Sequence, residues 1–192
     1  MIAVLFARAD SVYKTLPGCD VWDAERDARK WPGGVPLVAH PPCRAWGRLR
    51  HMANPRAEEK DLARFAVAKI REFGGVLEHP AHSTLWADQG LPAPGKHDAT
   101  GGWTLPISQS WWGHRAEKAT WLYIVGCVPA EIPSIPLFLG EASHVISTSG
   151  RRRDGSRAAY RPECKKSERE HTPSALAAWL VELARRCEMA TA

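Results

Sequence analysis

Long apolar runs are missing from this sequence. No stretch of its 192 residues approaches the ~20 needed for a helix to cross a bilayer. No CxxC pair occurs either. The five cysteines, at 19, 43, 127, 164 and 187, are odd in number and scattered, which argues for reduced thiols rather than a disulfide framework. The opening MIAVLFARAD is too short and too soon charged for a secretory leader, so the expected location is cytoplasmic. No internal repeat is found. A chain of this length suits one α/β domain, residues 1–192, with room for a substantial core.

Basic charge is present in excess. The formal net charge is +5, and the excess concentrates in GRRRDGSRAAYRPECKKSERE, residues 150–170, where eight Lys or Arg face four acids. Such a stretch fits a polyanionic partner such as DNA, through Arg151, Arg152 and Arg153, and equally fits a solvated loop. Nine tryptophans are many for this length. They could stack on bases, though most Trp in a small domain is core, and Trp111-Trp112 reads as core or a packed lid more readily than as a base platform.

The clearest elements lie in the first half. IAVLF (2–6) and VPLVAH (35–40) read as buried strands, and CDVW (19–22) as a weaker one. PRAEEKDLARFAVAKIREFGG reads as a helix over 56–73, with Leu62, Phe65, Ala66, Ile70 and Phe73 on one stripe and Gly74 as its stop. GVLE (75–78) then reads as a strand, which completes a βαβ unit with parallel strands. From Ala81 to Ile107 the Gly, Pro, His and Asp content predicts long loops, with a further strand at WLYIVGCV (121–128). The basic loop at about 150–170 precedes a final helix over about 173–188, with Thr172 as N-cap and Leu176, Trp179, Leu180 and Leu183 on one face.

In an open parallel sheet, ligands bind outside the carboxyl ends of the strands. Two such ends carry chemistry: His40-Pro41-Pro42-Cys43, with a helix expected to follow, and Glu78-His79-Pro80. A thiol and a carboxylate distant in sequence then emerge on one edge, as nucleophile and acid/base partner. Arg44, His40 or a helix N-terminus would favour the Cys43 thiolate. Taken alone, Cys43 reads more readily as a small buried thiol in a proline turn, and it is the pairing with Glu78 across the βαβ unit that brings the functional reading ahead. His40-x-x-Cys43 has metal-ligand types, but no second pair stands at zinc-finger spacing and no HxE with PCxxC occurs, so no metal is expected.

A strand, PPC, a helix, and a strand ending in Glu resemble the core of DNA cytosine-5 methyltransferases. The order HPPC (40–43), EHP (78–80), QSWWGHRAEKATWLYIVG (109–126) and SEREHTPSALAAWL (167–180) is similar to small phage and prophage proteins described as cytosine-methyltransferase-like. The resemblance implies a compact, loop-rich, Rossmann-like methyltransferase core with a mostly parallel sheet. It implies Cys43 attacking C6 of a flipped cytosine, Glu78 contacting the ring, and S-adenosylmethionine as methyl donor. By position, Phe6, Asp10 and Ser11 fall in the cofactor loop and Asp23 in place of the acid that holds the ribose. Pro42, Arg44, Trp46, His79, His114, Arg115 and Lys118 are candidates for substrate or DNA contact.

The sequence also departs from that pattern. VLFARADSVYKTL carries no glycine where the family's cofactor loop is glycine-rich, the Glu-Asn pair is Glu-His, and no Gln-x-Arg-x-Arg block occurs. No large DNA-recognition domain fits in this length. Two classes of function therefore stand: a base-modifying enzyme working through Cys43 and Glu78, and a non-catalytic relative that binds DNA or a partner protein.

Overall fold

Alternation of apolar residues along four short strands builds the centre of the molecule. The computed structural model describes residues 1–146 and 161–187. Strands β1 (Ile2–Leu5), β2 (Cys19–Trp22), β3 (Leu37–Ala39), β4 (Gly75–Pro80), β5 (Trp103–Ser108) and β6 (Ala119–Val125) form one sheet in the order β2-β1-β3-β4-β6-β5. The first four are parallel, and β6 runs antiparallel to both β4 and β5. The protein is thus α/β with a mixed, mostly parallel sheet.

Side chains of a strand point alternately to the two faces, and here both faces are covered. Ile2, Val4, Val38 and Val76 pack on one side with Leu176, Leu180 and Leu183 of helix α4 (Ser174–Arg185). Ala3, Leu5, Leu37, Ala39 and Leu77 pack on the other with Ala63, Ala66, Val67 and Ile70 of helix α1 (Glu59–Phe73). The stripe of α4 is the one its sequence predicts. That of α1 is rotated: Ala63, Ala66, Val67 and Ile70 lie deepest, while Leu62, Phe65 and Phe73 flank them half-buried.

Gly74 ends α1 at φ 73°, and Gly75 then starts β4 at φ 126°. A Cβ at Gly75 would lie 2.0 Å from the Leu37 carbonyl oxygen, so the absence of a side chain lets β4 approach β3.

Four further expectations are corrected. The stretch expected as long loops holds the short helix α2 (Leu85–Asp88) and strand β5. No α-helix starts directly behind Cys43: its carbonyl accepts from the backbone N–H of Trp46 and Gly47 at 3.0 and 2.8 Å, giving a turn. The basic stretch is not one loop throughout, because helix α3 (Lys166–Glu170) forms within it. Arg151, Arg152 and Arg153 lie outside the described residues. Helix α4 starts at Ser174 with Pro173, rather than Thr172, at the cap position, a shift of one residue.

Candidate functional site

The pairings Leu5↔Ala39 and Ala39↔Leu77 set the carboxyl ends of β1, β3 and β4 level on one edge of the sheet. From β1 the chain passes to β2 on one side and then returns to β3 on the other, so the strand order switches direction at β1. Crevices form at such switch points. A cavity of about 430 Å³ opens there, within the ~300–1,000 Å³ usual for small-ligand sites. Phe6, His40, Cys43, Glu78, Lys118 and His171 are among its walls.

Glu78 is the best-anchored group. Gln109 Nε2 donates to Oε1 at 2.9 Å and stands 3.1 Å from Thr120 Oγ1. His40 Nδ1 meets Oε2 at 3.0 Å, and His40 Nε2 meets the Tyr13 hydroxyl at 2.8 Å. Burial alone would raise the carboxyl, yet the positive charge of Lys118 and the hydrogen bond from His40 hold it down at about 2. At neutral pH Glu78 is therefore an anion that accepts hydrogen bonds, not an acid that donates a proton.

This low value links the site to stability. The ordinary carboxyl value is 4.5 and the folded one about 2. The stabilisation is thus complete above 4.5 and is lost as the pH falls towards 2, with an upper magnitude of ~3 kcal/mol. Glu78→Gln is expected to flatten this part of the stability–pH profile in urea melts. It is also expected to cost ~1–3 kcal/mol at pH 7, since one of the two donors facing the side chain then meets an amide N–H.

Cys43 is exposed at the rim. The surrounding walls still crowd its sulfur, and desolvation followed by the Glu78 charge pushes the thiol upward, with Lys118 opposing. The expected activators do not act on it. Arg44 is paired with Glu59 through both Nε and Nη2, and His40 is held between Tyr13 and Glu78. The resting group is the thiol.

Of the other expected contacts, Phe6, Ser11, Pro42, Arg44, His79 and Lys118 line the cavity. Phe6 adopts φ 61°, left-handed backbone in a non-glycine residue at the point where the resemblance calls for glycine. Its ring packs edge-on to Phe65 at 6.3 Å. His79 is fully buried, both ring nitrogens lack a hydrogen-bond partner among the described residues, and burial draws its pKa down to about 4. Asp10 stands behind the wall, bonded to Arg8 at 3.0 Å and to His171 at 3.0 Å. Arg8 also reaches Glu170 at 2.8 Å, so the segment after α3 is clasped onto the β1 loop.

Four candidates lie elsewhere. Trp46 is core, 2% exposed and beneath the side chains of Lys60 and Arg64. His114 is buried against the Ala116 and Glu168 carbonyls, and Arg115 pairs with Glu168 at 2.7 and 2.6 Å, so both fasten α3 in place. Asp23 turns away from the cavity. It accepts from Lys14 Nζ at 2.7 Å and from the backbone N–H of Glu25 and Arg26 at 3.0 and 3.1 Å. Asp23→Ala is accordingly expected to lower stability by ~1–2 kcal/mol in chemical denaturation, as loss of a capping carboxylate does.

Sequence reasoning missed Tyr13 and Gln109 as parts of the site. Tyr13 sits on a 3-10 turn, Val12–Thr15, with no pattern to mark it. Gln109 heads the QSWWGH block and carried a usable signal. Trp111 and Trp112 belong to the packed layer, with Trp112 5.0 Å from Trp179. Compared with family models, curated proteins and solved structures, the chain matches none.

Proposed function

We propose that the protein is a DNA-modifying enzyme that attacks cytosine in the manner of the cytosine-5 methyltransferases, with Cys43 adding to C6 and Glu78 holding the base. The observation that carries this reading is the joint placement of Cys43 and Glu78 on one cavity, at the ends of neighbouring parallel strands. The switch in strand order at β1 supports a Rossmann-like core of methyltransferase type. The net charge of +5 suits a polyanionic substrate, and a base turned out of the helix stack needs a cavity of this kind.

The chemistry follows from the charges. The Cys43 thiol loses its proton to solvent as sulfur bonds to C6, and the C5–C6 π pair moves onto C5 and the ring. Lys118 balances that negative charge, while the Glu78 anion accepts an N–H from the exocyclic amino group. Protonation at C5 followed by loss of the original C5 proton restores the double bond as the thiolate leaves. The net result without any donor is exchange of the C5 hydrogen with water.

S-adenosylmethionine would supply a methyl group to C5, and the residues that would hold it make a poor cradle. Asp23 is committed to Lys14 and to two backbone N–H groups. Arg8 and Asp10 are bound to each other and to the segment after α3. The glycine-free loop carries Phe6 in left-handed backbone.

The test is release of tritium from a duplex oligonucleotide containing [5-³H]cytosine, without a donor and with S-adenosylmethionine. Release that disappears in Cys43→Ala supports the enzyme, and transfer of labelled methyl supports the methyltransferase. DNA binding without release, unchanged in Cys43→Ala, supports the second reading, a non-catalytic protein that binds DNA or a partner. The observation that favours that reading is that Arg44 is committed to Glu59 and His40 to Tyr13 and Glu78, so neither activates Cys43.

A further inference from the structure

We infer that Tyr13 and His40 form a positioning pair that locks the orientation of the Glu78 carboxylate and thereby sets discrimination between cytosine and uracil; this rests on the proposed attack on cytosine. Tyr13 is 1% exposed, and its ring lies 5.3 Å from that of His40. Among the described residues His40 Nε2 is the one hydrogen-bond partner of the Tyr13 hydroxyl, at 2.8 Å. Burial pushes that hydroxyl well above its ordinary pKa, so the phenol keeps its proton.

The tautomer follows by elimination. An ionised carboxylate can only accept, so the ring nitrogen facing Glu78 carries a proton, and in a neutral ring Nε2 keeps the lone pair that accepts from the Tyr13 hydroxyl. The ring proton of a neutral His40 then stands on Nδ1, where it donates to Glu78 Oε2 at 3.0 Å. Gln109 Nε2 holds Oε1 at 2.9 Å. With both oxygens pinned from behind, the carboxylate cannot rotate, and its remaining lone pairs are left for a ligand. An amino group satisfies them. The carbonyl of uracil at the same position sets oxygen against a buried anion, a mismatch of the kind that gives large discrimination.

Removing the phenol oxygen leaves Nε2 without its partner: the carboxylate still favours the proton on Nδ1, but the ring loses the contact that fixes its orientation against Oε2. Such supporting contacts are commonly worth ~10–100-fold in activity. In the tritium-release assay, Tyr13→Phe is expected to lower kcat about tenfold with the KM for DNA within about twofold, and to lower cytosine-over-uracil selectivity about tenfold. His40→Leu is expected to lose about 100-fold, and His40→Asn, which retains an N–H near the Nδ1 position, to recover most of it. Should His40→Leu fail to fold, Tyr13→Phe, which removes one oxygen, carries the comparison. Wild-type kcat and selectivity in Tyr13→Phe would overturn the inference.

A second measurement needs no turnover. Long-range ¹H–¹⁵N spectra of the ligand-free protein near neutral pH are expected to show His40 as the Nδ1–H tautomer, with the Nε2 resonance shifting in Tyr13→Phe as its lone pair loses the phenol donor. An Nε2–H tautomer in the wild type overturns the pair even where tritium is released. Absence of any release from the wild type refutes the attack on cytosine, while the tautomer still decides whether the pair exists.

Discussion

Cys43→Ala is expected to abolish tritium release from C5 of cytosine, by at least ~10³-fold, the order seen when a covalent nucleophile is removed. Stability should change by no more than ~0.5 kcal/mol, because the side chain is exposed at the rim. A large loss of release without loss of fold separates a nucleophile from a packed thiol. The wild-type rate should also rise with pH. Crowding and the Glu78 charge raise the thiol, so its reactive form is scarce at neutrality and grows about tenfold per pH unit until the thiol titrates. A rate flat from pH 7 to 9 would contradict this charge arrangement. A residual rate in Cys43→Ala would place the chemistry on another group.

The largest structural effect is expected at Gly75. Its φ of 126° is one that L side chains rarely adopt, and an added Cβ would meet the Leu37 oxygen at 2.0 Å and the Leu37 nitrogen at 2.6 Å. Both are backbone atoms of a central strand, so neither moves without opening the β3–β4 pairing. Gly75→Ala is expected to cost ~3–5 kcal/mol and ~10 °C or more in melting temperature. Gly34→Ala is the control. Its φ of 92° carries similar backbone strain, but a Cβ there meets nothing within 4 Å. A drop of the same size in both variants would assign the effect to backbone strain rather than to strand approach.

The elements legible in the sequence are those whose burial pattern is local. Ile2–Leu5, Leu37–Ala39 and the α4 stripe Leu176, Trp179, Leu180 and Leu183 are apolar for a reason visible within a few residues. Strand β5 was hidden because WTLPIS carries Pro106. The strand pairs with β6 at the sheet edge, where a proline is tolerated. The reversal of β6 was invisible for another reason: direction is fixed by where the chain returns, not by composition.

The site divides in the same way. Cys43 follows β3 and Glu78 stands near the end of β4, so parallel pairing alone places them on one edge. Tyr13 reaches His40 across 27 positions from an irregular turn, and Gln109 reaches Glu78 across 31. Such contacts depend on the assembled sheet. His114 and Arg115 misled for a related reason: a basic residue beside a motif suggests a ligand contact, and each found an acid or a carbonyl within the protein.

The clasp between the β1 loop and the segment after α3 has a consequence for the order of assembly. Arg8 and Glu170 are 162 positions apart, and Asp10 and His171 are 161. During synthesis the first four strands can pair while the far wall of the cavity has yet to leave the ribosome, since contacts so distant along the chain close last. A nascent chain that stops short of residue 169 would lack that wall, leaving the Cys43 thiol on a half-built cup, open to oxidants and to non-native partners. The clasp that completes the cavity also ends that exposure.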